Sequence, residues 1–440
     1  MTKLTSASFW LAGVQWFFFL FANTIMVPLT VGAAFGFSSE LTASVVKVTF
    51  VVTGAASILQ ALIGHRYALM EGPAGLWWGL ILSLAAAAPS MGMSLEQLGG
   101  ALTVGILASG AATSLLGALG FARVLKKAFT QIVMFVYLFL LSCQLIAEFF
   151  RGMIGLEDGR MNLPVAALSG AVALLVGWIG VTGRGKLANF SILIGMTAGW
   201  AAYRLLFPGA VAESGSAGGG FVFELFPWGT PHFELGIMIA AMLAGLINMT
   251  NTIAALSTAE KLYDTVSTSS QYKRAFHLTG FHSVLAGLFG LVPYGPYTSS
   301  IGFLESTKIL DRSALVLGGA LFVTLGFVPA FGAFFASMPV SVGNAVLFVI
   351  YLQLFGSAFR NLQGFTFNPK TVYRIAAPAL LGISILNVPA EAFAALPGMI
   401  RPIVGNGLLM GVLLAIVLEL TVDWSRYEGR LPETGASVKR

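Results

Sequence analysis

The chain has 440 residues, 57% of them hydrophobic and only 10% charged, against ~25% charged in soluble domains, so no water-soluble fold could hide its apolar surface. The formal charge is +6, and the single cysteine, Cys143, excludes a disulfide framework and a cysteine-ligated metal site. No metal or cofactor is expected.

In chain order, apolar segments are predicted at 8–30, 41–63, 74–89, 99–120, 126–147, 163–182, 186–206, 234–258, 274–292, 297–308, 313–334, 339–358, 371–388 and 401–422. Several are long enough to cross a ~30 Å hydrocarbon core as a helix. The first has no small-residue cleavage site after a short apolar core and reads as a membrane helix, not a removable signal peptide. With the N-terminus placed in the cytoplasm, 19 of the 24 Lys and Arg fall on that side. These include Arg66 (next to His65), Arg123, Lys126, Lys127, Arg184, Lys186, Lys261, Lys273, Arg274, Lys308, Arg312, Arg360, Lys370 and Arg374. Arg151, Arg160, Arg204 and Arg401 fall opposite, and Lys47 lies near the outer end of the second span. The positive-inside rule explains this skew without a nucleic-acid partner and puts both termini in the cytoplasm of a bacterial inner-membrane protein.

The polar, glycine-rich stretch Glu213–Gly220 divides the chain near its midpoint. Across it, Asn23-Thr24-Ile25 recurs as Asn251-Thr252-Ile253, and Gly72-Pro73 followed by Gly79 recurs as Gly295-Pro296 followed by Gly302, at offsets of 228 and 223 residues. Matches in order at nearly one offset indicate duplication. The expected layout is 1–220 as one repeat, 221–425 as a second, and 426–440 as a cytoplasmic tail. Seven spans is an odd number, so the second repeat enters the membrane from the opposite face. Such inverted repeats place a substrate near the bilayer midplane, between interrupted helices.

The two Gly-Pro segments are the expected interruptions. Proline removes a backbone donor and biases its predecessor away from helix, so segments three and ten should each hold a short strand leading into a half-helix. Their first amides, at Ala74 and Gly75 and near Ser299 and Ser300, would face a shared cavity with a partial positive charge suited to a carbonyl-rich or anionic ligand. Two ordinary loops are the plainer alternative.

Few other polar side chains lie at depth. Gln15, Asn23 and Thr24 suit ligand contact and interhelical hydrogen bonding equally. Asn248, Asn251 and Thr252 share one helical face by their spacings of three and four, and that face should look into the cavity. Glu71 precedes a broken helix. It either serves a proton or ion pathway, or sits at the cytoplasmic end paired with Arg66 or capping amides near Gly75. Glu305, near Lys308, suggests an edge ion pair, and His277 and His282 suggest solvent-edge or core hydrogen bonding.

On these residues the sequence resembles the nucleobase–cation symporter-2 family, the xanthine/uracil permeases, over essentially its whole length. Gln15 before a span ending in Val27-Pro28 looks like the family's first helix. Ser299-Ser300-Ile301-Gly302 through Thr307-Lys308 looks like its tenth-segment signature, with Gly302, Thr307 and Lys308 at the matching spacing. Gln15-Trp16-Phe17-Phe18-Phe19 and Met70-Glu71-Gly72-Pro73-Ala74-Gly75-Leu76-Trp77-Trp78-Gly79 are closer still to a bacterial purine-permease subgroup. The resemblance implies an all-α polytopic fold of about fourteen segments in a 7+7 inverted repeat. It implies a core domain of segments 1–4 and 8–11 moving against a gate domain of 5–7 and 12–14, in a homodimer. It places a nucleobase between the third and tenth segments, backed by the eighth. Asn248 then stands where the family has its substrate-binding glutamate, Ser299 at its second acidic or polar ligand, and Thr252 at a histidine of the uracil branch. Tyr297 keeps that branch's tyrosine, and Trp16 replaces the usual histidine after Gln15. Both central carboxylates are therefore absent, and Glu71 becomes the candidate for coupling to a proton, in preference to sodium.

The expected function is nucleobase import, a purine such as xanthine, urate or hypoxanthine before uracil. The alternative is an inorganic or carboxylate anion carrier on the same architecture, disfavoured because no basic residue falls at the predicted site. An enzyme is not expected, since no HExxH motif or Ser/His/Asp set lies at matching depth.

Overall fold

The computed structural model describes residues 7–121, 125, 127–157, 160–183, 191–208 and 224–427. The predicted interruption Glu213–Gly220, with Arg123, Lys126, Arg184, Lys186 and the tail beyond Tyr427, lies outside the described residues.

The first half comprises α1 (Ala7–Thr24), α2 (Met26–Ala34), α3 (Ser39–Leu62), β1 (Glu71–Pro73), α4 (Gly75–Ala87), α5 (Leu95–Ala118) and α6 (Gln131–Met153). A small hairpin, β2 (Leu156–Glu157) with β3 (Arg160–Met161), leads to α7 (Leu163–Thr182) and α8 (Ser191–Leu206). The second half comprises α9 (Leu235–Leu262), α10 (Ser269–Phe289), β4 (Tyr294–Pro296), α11 (Ser299–Thr307), α12 (Arg312–Gly326) and α13 (Pro329–Ala336). It ends with α14 (Val340–Arg360), α15 (Tyr373–Leu386), α16 (Arg401–Val404) and α17 (Gly407–Thr421). Among the described residues, seven spans are long and apolar enough to cross a membrane: the α1–α2 run, α3, α5, α6, α7, α9 and α14. Helices α4, α12, α15 and α17 are apolar but shorter.

Helix starts are closed by side chains, as the unpaired first N–H groups of a helix require. Ser38 accepts from Leu41 N–H, and Ser94 with Gln97 and Thr268 with Gln271 form reciprocal capping boxes. Three predicted spans are broken where the sequence reading had them continuous. The first breaks at Ile25, because Pro28 has no N–H to offer the Thr24 carbonyl. The eleventh breaks before Pro329, and the last breaks at Gly405, with Asn406 capping α17 through Leu409 N–H.

The helices pack as two sets. In one, α12 lies along α3 and α1, α10 along α5 and α3, and α9 along α5. In the other, α14 lies along α6, α7 and α8, while α15 and α17 pack on each other and on α6. Within the first set Gly110 and Gly280 let α5 and α10 approach backbone to backbone: a Cβ on Gly110 would stand 2.8 Å from the Gly280 carbonyl oxygen. Small residues at membrane helix crossings permit this closeness.

In the second set, Arg374 of α15 holds Glu419 of α17 by two parallel bonds, Nε to Oε1 at 2.5 Å and an Nη2 to Oε2 bond of 2.8 Å. Their side chains are only 14% and 3% exposed. Arg374→Ala would strand the Glu419 charge, with an expected loss of ~3–5 kcal/mol. Thermal unfolding in detergent should show the drop, and Arg374→Lys should recover only part of it, because an ammonium cannot make the bidentate fork.

Candidate functional site

Strands β1 and β4 come from opposite halves and pair antiparallel, with Glu71 opposite Pro296, Gly72 opposite Gly295 and Pro73 opposite Tyr294. The predicted strand-and-half-helix interruptions in segments three and ten are both present. The ladder continues outward through Tyr297 N–H to the Met70 carbonyl at 2.9 Å and Ala74 N–H to the Pro293 carbonyl at 2.8 Å. Ser300 Oγ accepts the Met70 N–H at 3.1 Å, tying the start of α11 to β1.

Alternation along a strand gives this ribbon two faces. On the front stand the glycines: a Cβ on Gly295 would lie 3.1 Å from Asn248 Oδ1, and one on Gly72 would lie 3.1 Å from the Tyr297 ring. On the back, Glu71 Oε1 accepts from Thr279 of α10 at 2.6 Å, and the Tyr294 hydroxyl meets Thr53 of α3 at 3.0 Å.

The front face carries a chain of amides. Asn248 of α9 donates from Nδ2 to the Tyr294 carbonyl at 2.8 Å, and its Oδ1 accepts from Asn251 Nδ2 at 3.0 Å. Asn251 Nδ2 also reaches the Tyr137 hydroxyl of α6 at 3.4 Å. Beside them α4 begins at Gly75 after an extended Ala74, and its first N–H groups have no helical partner. A Cβ on Gly75 would be 3.6 Å from the Tyr351 hydroxyl and 3.7 and 3.8 Å from Leu141 and Leu145. These are ordinary van der Waals distances, so a Cβ there would touch α6 and α14, which bound the start of α4. Trp78 closes the next turn, donating to Thr30 Oγ1 at 2.9 Å with its ring centroid 5.0 Å from Phe149 and 5.8 Å from Tyr351. An apolar, aromatic wall thus faces an amide edge and a helix start, an arrangement that suits a flat ligand with a hydrogen-bonding rim.

Of the predicted site residues, Asn248, Asn251, Tyr297, Ala74 and Gly75 meet at this ribbon. Thr252 is buried beside them, its hydroxyl without a protein partner. Asn23 contributes backbone: its carbonyl receives the Tyr297 hydroxyl at 3.3 Å, while its own amide turns back to the Phe19 carbonyl. Ser299 is exposed at the start of α11, continuous with exposed Thr298, Gly302 and Glu305 on that helix, whereas Ser300 is spent on the Met70 clamp.

Several expectations are corrected. Glu71 neither pairs with Arg66 nor caps α4; it lies wholly buried on the back of the ribbon, because a residue next to an inward-facing glycine must point the other way. Glu305 is exposed and forms no ion pair with Lys308, which instead ends α11 in the left-handed conformation. His282 is buried with neither ring nitrogen hydrogen-bonded. Trp16 packs on Phe303 at 4.6 Å between α1 and α11. The sequence reading missed Tyr137, Tyr351 and Trp78, whose polar tips in otherwise apolar spans were the available signal.

A permease family profile, that of the xanthine/uracil permeases, matches residues 7–391. The chain belongs to that family. YwdJ of Bacillus subtilis (strain 168), which bears a purine-permease name, is 30% identical over 94% of this chain and 96% of its own length. The uric acid permease PucJ of the same organism is 27% identical over 91% of this chain and 89% of its own. Among solved structures, the murine Solute Carrier 26 family member A9 anion transporter, in its inward-facing state, aligns with a TM-score of 0.61 at 12% identity, over 96% of this chain and 68% of that one. The transmembrane domain of the cyanobacterial bicarbonate transporter BicA aligns at 0.57 and 12%, over 93% and 97%. At that identity the likeness shows a shared transporter fold. The chain is therefore a multi-pass membrane permease, not an enzyme, and nucleobases are the substrates its family indicates.

The Tyr297 hydroxyl, donating to the Pro73 carbonyl at 2.6 Å, locks the ribbon to its own exit. Tyr297→Phe leaves that buried carbonyl unpaired, with an expected cost of ~1–3 kcal/mol. A lowered melting temperature in detergent, with the protein still monodisperse, is the outcome to check.

Proposed function

We propose that this permease is a secondary active importer of a purine base, xanthine, urate or hypoxanthine in preference to uracil, working by proton symport across the bacterial inner membrane with both termini in the cytoplasm. In this reading the first helix set is a core that carries the substrate and moves, elevator-like, against the second set as a gate, and the protein works as a homodimer. The repeats 1–220 and 221–425 are its two inverted halves.

The observation that carries the reading is the Asn248–Asn251 amide pair on the front of the glycine ribbon, facing the start of α4. A base lying against the Tyr351, Leu141 and Leu145 wall could present its rim to Asn248, whose amide offers both an acceptor and donors. The first N–H groups of α4 suit a carbonyl oxygen on the same rim. In this reading exposed Ser299 and buried Thr252 also contact the base. The purine preference rests on the uric acid and xanthine permeases among its relatives. Fold likeness to anion transporters gives no support to an anion substrate, and among the described residues no basic side chain hydrogen-bonds the amide pair.

Uptake of labelled xanthine, urate, hypoxanthine and uracil into proteoliposomes, with and without an inward proton gradient, tests this. One purine should accumulate saturably, and Asn248→Ala should cut its uptake at least ~10-fold, the cost of about 1.4 kcal/mol in lost hydrogen bonding. Absence of uptake of every base, in vesicles holding folded protein, would defeat the proposal.

A further inference from the structure

The back of the ribbon holds a second polar compartment that the substrate pocket does not use. Glu71 is wholly buried, and unlike the buried side chain of Glu419, which Arg374 holds, it has no basic partner among the described residues. Thr279 donates to its Oε1 at 2.6 Å, and the Gln60 side chain lies alongside. Its backbone is gripped by Ser57, whose Oγ accepts the Glu71 N–H at 3.0 Å and donates to the Glu71 carbonyl at 3.1 Å. Glu71 Oε2 has no protein partner, and neither has either ring nitrogen of His282, three residues along α10 from Thr279. Tyr294 shares this face of the ribbon with Glu71, and its ring centroid is 6.0 Å from the His282 ring.

Among the described residues no Lys or Arg forms an ion pair with this carboxyl. The α1 segment packed on β1 carries no charged residue, and α3 carries only Glu40 and Lys47, of which Glu40 is at its first turn. On α10 the titratable groups are Tyr272, Lys273, Arg274, exposed His277 and His282; on β4 there is Tyr294. On α9, which also packs on β4, Glu260 and Lys261 lie at the far end, beyond Asn248. Glu71 forms no ion pair with any of them. A carboxylate buried without a counter-ion is costly, so such a group is held as the neutral acid or neutralised by a bound cation.

We propose that Glu71 is the proton-carrying site of the transporter, in a compartment bounded by Gln60, Thr279, Tyr294 and His282 and separated from the substrate by the thickness of the β1–β4 ribbon. It rests on the import reading above for what the proton drives. The proton binds at Oε2, taken from water on one side and returned to water on the other, while Thr279 keeps its bond to Oε1. The two sites communicate through one strand pair: Asn248 holds the Tyr294 carbonyl from the front, and Glu71 and the Tyr294 ring share the back. A core carrying ionised Glu71 would have to take an unpaired charge through the bilayer, whereas the neutral acid passes. Substrate and proton therefore cross together without touching.

The test has a readout that needs no substrate. Infrared difference spectra of the reconstituted protein, stepped from high to low pH, should show a protonated-carboxyl stretch that moves to lower frequency in D2O. That band should be missing in Glu71→Gln and displaced in Thr279→Val, which removes its hydrogen bond. In the uptake assay Glu71→Gln should lose accumulation driven by the proton gradient while keeping exchange of labelled for unlabelled purine. A band that persists in Glu71→Gln, or gradient-driven accumulation unchanged by it, would overturn the proposal; so would accumulation that follows sodium instead of pH. A Glu71 band in a protein that takes up no base would defeat the import reading and leave the proton site standing.

Discussion

Every part of the site depends on six residues of extended backbone held in the middle of an apolar protein. Strand backbone at that depth survives only if its N–H and C=O groups are paired within the protein. The β1–β4 ladder pairs them, Ser57 and Ser300 take the ends that the ladder misses, and the two prolines remove donors that would otherwise need partners. Once the ribbon is fixed, so are the starting points of α4 and α11, and with them the direction in which their unpaired amides face.

The same ribbon explains why polar residues are rationed so strictly. Its glycine face admits Asn248 because no Cβ intervenes, and its other face must accept the side chains that alternation sends backward, Glu71 and Tyr294. The α3 and α10 helices answer with Thr53, Ser57, Gln60 and Thr279 at helical spacing, an internal polar seam in two otherwise membrane-compatible helices. Hydrogen bonds of this kind contribute modestly each, but the alternative for each group is an unsatisfied dipole in a dry interior.

Much of this was legible in the sequence. The Gly-Pro pairs announced the broken segments because proline's missing donor and glycine's missing side chain act locally, whatever the surroundings. The spacing of Asn248 and Asn251 fixed their common face for the same reason. The side of the ribbon on which Glu71 points was not legible, because it follows from strand register, which pairs Glu71 with Pro296, 225 positions on. Ser299 and Ser300 were adjacent equals in the sequence; only the approach of Met70 separates the exposed one from the clamped one. The convergence of Trp78 with Tyr351, and of Tyr137 with Asn251, was hidden too, since polar tips mark such residues as candidates without showing which of them meet.

The pairing of Gly72 with Gly295 has a bearing on how the protein is made. During synthesis, β1 leaves the ribosome long before its partner exists, so its edge stays open while some two hundred further residues are threaded into the bilayer. Contacts between such distant parts of a chain form late, after the cost of closing a long loop. The first half must therefore wait in the membrane as an incomplete intermediate, its strand and the buried Glu71 shielded provisionally by lipid headgroups, water or insertion machinery, until the second half arrives and closes the fold.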